Sequence, residues 1–92
     1  MPNLFSYLGY TVFFWSNESN EPIHVHISKG RVTQNSTKVW ITKSGDCILA
    51  NNNSKIPEHD LTKLFKSIQY NFFYIVSEWK NFYGIDDVKY YC

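Results

Sequence analysis

The fold is decided by the stretch Ile23-His24-Val25-His26-Ile27-Ser28, in which apolar and polar residues alternate. Successive side chains of a β-strand point to opposite faces of a sheet. The alternation therefore predicts a strand with its three aliphatic side chains on one face and its two histidines on the other. The preceding residues 16–22, SNESNEP, are turn formers and separate this strand from the one before it.

Three more strands are predicted around this one. Residues 10–15, YTVFFW, are β-branched or aromatic on both faces, which is typical of a strand covered on each side. Residues 38–42 and 46–50 flank Ser44-Gly45, a spacing that favours a hairpin.

A long helix is predicted to follow. Pro57 suits the first turn of this helix, and Gly84 suits its C-terminal end. Apolar residues between them recur with the 3.6-residue period of a core-facing stripe. The stripe consists of Leu61, Leu64, Phe65, Ile68, Phe72, Ile75, Val76, Trp79, Phe82 and Tyr83. The predicted fold class is α+β, an antiparallel sheet of about four strands with one long C-terminal helix packed on one face.

Length and composition predict one globular domain over residues 1–92. Seven Phe, seven Tyr and three Trp can fill a core in so short a chain. A net charge of +1 with scattered lysines does not indicate an extended nucleic-acid-binding surface. A local binding site for nucleic acid stays an alternative. Two widely spaced cysteines, no signal peptide and no long apolar stretch lead us to expect a cytoplasmic protein outside the membrane.

The histidine pair is the main chemical feature of the sequence. His24 and His26 are two residues apart on one strand, so they present two imidazoles side by side. Such a pair can share general acid and base roles or bind a divalent metal. A catalytic zinc ion usually has a third protein ligand, for which Glu18, Glu21 and Asp46 are the candidates.

These alternatives stay open at the level of sequence. The catalytic candidates are His24 and His26, with weaker support for Glu18 and Glu21. The histidines can equally pack beside Trp40 without a chemical role. No cofactor is expected, a divalent metal is possible, and whether the protein is an enzyme is undecided.

Three aromatic residues, Tyr70, Phe73 and Tyr74, lie outside the apolar stripe of the helix. Aromatic residues gathered off the core face favour a contact surface for a small protein partner or a second copy of the chain. The alternative is that the N-terminal segment or residues 85–92 fold over them.

Several segments resemble a small bacterial family, domain of unknown function 4160. Its members read approximately as an aromatic strand, Ser-Asn-Glu-Gly and Glu-Pro-Pro-His-Val-His-Val. Here Gly9-Tyr10, Phe13-Phe14-Trp15-Ser16-Asn17-Glu18 and Asn20-Glu21-Pro22-Ile23-His24-Val25-His26-Ile27 match that pattern. The similarity continues through residues 37–41, TKVWI, and 79–84, WKNFYG, and so covers a core of residues 8–84 with a C-terminal tail at 85–92. Ile23 replaces the second proline and Ser19 replaces a common glycine.

The resemblance implies an α+β fold in a bacterial cytoplasm. Members tend to be encoded beside another small protein, in the manner of toxin–antitoxin pairs, which implies a partner-binding module. The same context permits a small endoribonuclease, in which His24 and His26 act on a phosphodiester. Lys29 or Arg31 would then steady the charge of the phosphate, and Trp40 is a further substrate-binding candidate.

Overall fold

The computed structural model describes residues 3–92, which form an antiparallel sheet with two helices against one face. The strands are β1 (Asn3–Tyr7), β2 (Tyr10–Phe13), β3 (His24–Lys29), β4 (Thr37–Ile41) and β5 (Cys47–Asn51), and the helices are α1 (Glu58–Tyr70) and α2 (Phe72–Tyr83). The α+β class and the antiparallel sheet are as predicted. The numbers of strands and helices need correction.

The strands lie in chain order from β1 to β5, so β3 is the central strand. Val25 and Ile27 are fully buried against the helices, while His24 and His26 lie on the opposite face. His26 is paired with Phe13 on β2 and with Lys38 on β4. The alternation in residues 23–28 thus places both imidazoles on the face opposite to Val25 and Ile27, where α2 reaches His24 through Trp79.

The sheet has five strands rather than four, because β1 pairs with β2 across a two-residue turn at Leu8-Gly9. Both turn residues have positive φ, 54° and 80°. This backbone matches the twist of a hairpin but is rare for a leucine. Two-residue hairpin turns usually have asparagine or glycine in the first turn position. Leu8 does not give that signal, so the sequence does not predict the edge strand.

The predicted single helix is interrupted at Asn71, which separates α1 from α2. The side-chain amide of Asn71 donates to the Ser67 carbonyl at 2.8 Å, competing locally with the backbone ladder. The buried side of both helices still follows one stripe, since Leu64, Ile68, Ile75 and Trp79 are all buried. Phe82, expected in that stripe, lies at its margin: it is 46% exposed, and its ring contacts Phe14.

The end of α2 is where the sequence predicted it. Gly84 adopts the left-handed conformation at φ 65° and donates its N–H to the Lys80 carbonyl. No helix within residues 3–92 is long and apolar enough to cross a membrane.

Residues 85–92 return to the sheet beside the start of β3. The carbonyl of Lys89 accepts the Ile23 N–H at 2.8 Å, and the ring of Tyr91 stacks on Trp40 with 5.0 Å between centroids. The tail therefore packs next to the histidine face and does not cover Tyr70 or Phe73, which remain exposed.

Candidate metal centre

The centre is formed by three side chains, Glu18, His24 and His26. One ligand atom from each lies within 4.8 Å of the other two. The two histidines project from β3, and Glu18 comes from the loop between β2 and β3. Among the described residues this is the one group of three or more His, Cys, Asp or Glu side chains with such spacing.

The position of Glu18 depends on residues distant in sequence. Its Oε1 accepts the backbone N–H of Trp15 at 3.1 Å. Its own backbone N–H donates to the hydroxyl of Tyr83 at 3.3 Å, and that hydroxyl donates to the Trp15 carbonyl. Tyr83 at the end of α2 therefore fixes the loop that carries the carboxylate.

The carboxylate of Glu18 contacts both imidazoles. Its Oε1 is 2.9 Å from Nε2 of His24, and its Oε2 is 3.1 Å from Nε2 of His26. The contact with His24 is close but poorly directed, so Nε2 of His24 is buried without a hydrogen bond to any residue in the described range 3–92. This nitrogen is an unpartnered polar atom in a side chain with no exposed surface.

The other ring nitrogen of each histidine is held by a neighbour. Nδ1 of His24 is 2.8 Å from the carbonyl oxygen of Pro22, and Nδ1 of His26 is 3.2 Å from the hydroxyl of Ser36. A carbonyl only accepts, so His24 must carry its proton on Nδ1. In neutral His24 the lone pair is then on Nε2, facing a carboxylate oxygen that also accepts.

The electrostatics of Glu18 reflect this arrangement. Burial by itself raises the pKa of its carboxyl group. The two imidazoles, whose Nε2 atoms lie 2.9 and 3.1 Å from the carboxylate, outweigh that effect, so the pKa of Glu18 lies well below its ordinary value. The site therefore favours the carboxylate, which is the form that binds a metal.

Aromatic rings surround the two imidazoles. Phe13 is stacked with His26 at 5.5 Å between centroids, and Trp40 and Trp79 each lie edge-on to His24 at 5.4 Å. These walls keep His24 away from solvent, while the side chains of Glu18 and His26 are 13% and 9% exposed. The centre is thus open to water on the side of the carboxylate.

The structure separates the other predicted site residues from the three ligands. Glu21 forms an ion pair with Lys38 at 2.6 Å, and the Lys38 ammonium also lies 4.3 Å from the centre of the Trp40 ring. Asp46 lies in the turn between β4 and β5, where it accepts a hydrogen bond from Ser44. Of the three candidate third ligands, only Glu18 reaches both histidines.

The predicted charge-stabilising residues lie toward the far end of β3. Lys29 is the last residue of that strand, three residues or about 10 Å beyond His26, and Arg31 follows it in the loop. Both side chains are exposed. His59 is also exposed and lies near Asp60, outside the centre.

The predicted partner-binding residues share one surface at the junction of the helices. Tyr70 is 89% exposed and Phe73 is 83% exposed. Tyr74 is less exposed because its hydroxyl donates to the Leu4 carbonyl of β1. Two cavities adjoin this surface, of about 470 and 520 Å³, and Tyr70 lines both.

Sequence reasoning missed Ser36, Tyr83 and Tyr91 as supports of the centre. Ser36 holds the imidazole of His26, Tyr83 fixes the Glu18 loop, and Tyr91 stacks on Trp40. The sequence predicts Tyr83 only as a member of the core stripe. Ser36 and Tyr91 carry no local pattern that links them to β3, so no signal in the sequence could have found them.

Comparison with known proteins gives one result. The family model described as domain of unknown function (DUF4160) matches residues 9–80, a range that contains Glu18, His24 and His26. No curated protein and no solved structure gives a significant match.

Proposed function

We propose that this chain, which belongs to the DUF4160 family, is a metal-binding protein in which Glu18, His24 and His26 hold one divalent ion, most suitably zinc. The observation that carries the proposal is the buried Nε2 of His24. It has no hydrogen bond, and it faces a carboxylate while its other ring nitrogen is committed to a carbonyl. A cation between these two acceptors removes their repulsion.

The distances support this occupant. Zinc bonds of about 2.0–2.1 Å place neighbouring ligand atoms about 3.3 Å apart in a tetrahedron. The carboxylate oxygens lie 2.9 and 3.1 Å from the two imidazole nitrogens. These two distances are slightly shorter than in a zinc site, and all three ligand atoms lie within 4.8 Å of one another, so side-chain adjustments can bring them around one ion.

The neighbours of the ligands also support a metal. Histidines that bind metals usually donate their second ring N–H to an oxygen, which fixes the orientation of the ring. The Pro22 carbonyl does this for His24, and the Ser36 hydroxyl is placed to do so for His26. Two nitrogens and one carboxylate are a ligand set that zinc accepts.

Three protein ligands leave a fourth position free, and the exposed side of Glu18 gives water access to it. A zinc-bound water loses its proton near neutral pH and becomes a nucleophile. The centre would therefore suit metal-assisted hydrolysis. Trp15 and Trp40, both half-buried, stand beside it.

The metal-free ribonuclease alternative has less support. It requires both imidazoles to reach a phosphodiester, whereas His24 has no exposed surface. Its charge-stabilising candidates, Lys29 and Arg31, lie toward the opposite end of β3.

The test is elemental analysis of protein purified without a histidine tag and equilibrated with zinc. We expect one zinc per chain, and loss of that zinc in His24→Ala, His26→Ala and Glu18→Gln. His59→Ala is the matched control, since His59 is exposed and lies outside the centre. Substoichiometric zinc in the wild type, or equal zinc in the His26→Ala variant, would exclude the proposal.

As a second function, we propose that the protein is a partner-binding module of a toxin–antitoxin-like pair in a bacterial cytoplasm. The supporting observation is the exposure of Tyr70 and Phe73 on one surface. The free thiols of Cys47 and Cys92 suit a reducing compartment.

This second function is tested by coexpression with the product of each small reading frame that adjoins its gene. We expect one such product to copurify with the chain, and Tyr70→Ala combined with Phe73→Ala to prevent this without unfolding the chain. Copurification that survives both substitutions would contradict this assignment of the surface.

A further inference from the structure

The outer edge of β1 and the adjacent side of α1 enclose the cavity of about 470 Å³. Phe5, Ser6 and Tyr7 line it from the strand. It lies on the helical side of the sheet, and none of its lining residues belongs to the metal centre.

The strand side of this cavity offers unpaired backbone groups. β1 is at the edge of the sheet and pairs only with β2. Because Tyr7 and Tyr10 close a two-residue turn, their backbone groups pair with each other and those of Ser6 point outward. The outward carbonyl of Leu4 is already taken by Tyr74, which leaves Ser6 as the open position.

The helix side of the cavity is basic and polar. Lys63, Lys66, Ser67 and Tyr70 line it with the i, i+3, i+4, i+7 spacing of one helix face. Within residues 3–92 neither lysine has a carboxylate within ion-pairing distance, and the Ser67 hydroxyl has no hydrogen-bond partner. Of the residues that the structure describes, none that lines the cavity is acidic.

We propose that this cavity binds an extended, acidic segment of a partner protein, which adds a strand to the edge of β1. The backbone of the segment pairs at Ser6, its carboxylates face Lys63 and Lys66, and an apolar side chain packs between Phe5 and Tyr70. This inference rests on the partner-binding function proposed above and specifies that the partner contributes an acidic, extended segment.

A second copy of the chain fits this edge less well. Pairing two β1 strands about a two-fold axis would bring two α1 helices side by side across the joined sheet. Lys63 and Lys66 of both copies would then share one region without carboxylates between them. Like charges in such a contact are unfavourable, whereas an acidic segment neutralises them.

The test uses a random twelve-residue peptide library displayed on phage and selected against the folded protein. Enriched peptides should alternate acidic with apolar residues. Their affinity should fall at least about tenfold for Lys63→Glu combined with Lys66→Glu, and in high salt. Lys55→Glu with Lys89→Glu makes the same change of charge at exposed positions elsewhere and should leave binding unchanged.

A second variant tests the strand. Ser6→Pro removes an outward N–H without breaking the β1–β2 ladder, and it should weaken the same peptides. Non-acidic peptides that still need Tyr70 would overturn the acidic assignment and leave partner binding intact. No enrichment at all, or a concentration-dependent dimer lost in Ser6→Pro, would overturn the inference, and the former would also count against the partner-binding function.

Discussion

Glu18 is the residue on which the centre depends. It is the only carboxylate of the three candidates that reaches both histidines, and its contact with His24 joins two acceptors in a buried place. Without a metal, Nε2 of His24 and the Glu18 carboxylate remain in contact without a hydrogen bond, inside a wall of aromatic rings. Binding a divalent ion relieves it without placing an unpaired charge in the interior.

The acid stability of the metal-free protein should depend on Glu18. Its carboxyl pKa is lower in the folded chain than its ordinary value of 4.5. The stabilisation is therefore full above pH 4.5 and is lost as the pH falls toward the lowered pKa. We expect the free energy of unfolding to fall more steeply below pH 4.5 in the wild type than in Glu18→Gln.

Urea denaturation from about pH 3 to pH 7 measures this dependence. Glu78→Gln is the control, because Glu78 forms no ion pair among the residues that the structure describes. Parallel pH profiles for the wild type and Glu18→Gln would show that the carboxylate is not stabilised by the imidazoles.

The sequence predicts which face of β3 carries the histidines, because that depends only on alternation along one strand. It could not choose among Glu18, Glu21 and Asp46. That choice is made by the loop conformation, and the loop is held by Tyr83, which is 65 residues away from Glu18. Long-range contacts of this kind leave no local pattern.

At the scale of secondary structure, the period of the side chains predicts the strands, and the conformational preference of glycine predicts the end of the helix. Gly84 ended α2 as expected, since its positive φ suits glycine. The edge strand β1 was missed because Leu8 occupies a turn position that glycine or asparagine usually marks. The break at Asn71 was hidden by an apolar stripe that continues across it.

The helix end gives a prediction at this scale. A Cβ atom at position 84 would meet no other atom within 4 Å, so Gly84→Ala changes only the backbone preference. We expect it to lower the free energy of unfolding by about 1 kcal/mol, and Gly84→Asn to lower it less. Thermal denaturation measures both. Equal stability of all three proteins would contradict the left-handed cap.

At the scale of the whole molecule, the tail connects the end of the chain to the centre. Tyr91 stacks on Trp40, and Trp40 packs against His24. An aromatic pair contributes about 0.5–1.5 kcal/mol. We therefore expect Tyr91→Ala to lower the free energy of unfolding by about 1 kcal/mol and to weaken zinc binding several-fold.

Denaturation and zinc titration with a competing chelator measure these two effects. Tyr70→Ala is the control, because Tyr70 is almost fully exposed and stacks on no other ring in the described chain. If zinc affinity does not change in Tyr91→Ala, the tail does not support the metal centre.

X-ray absorption of the zinc-loaded protein shows whether two imidazoles and one carboxylate bind the ion. We expect nitrogen and oxygen neighbours at about 2.0–2.1 Å, including the signal of two imidazoles, and no bound zinc in His26→Ala. Sulfur is not expected, because burial raises the pKa of the Cys47 thiol to about 12 and Cys92 lies at the exposed chain end. A zinc–sulfur distance of about 2.3 Å, or a shell of water without imidazole, would contradict the account.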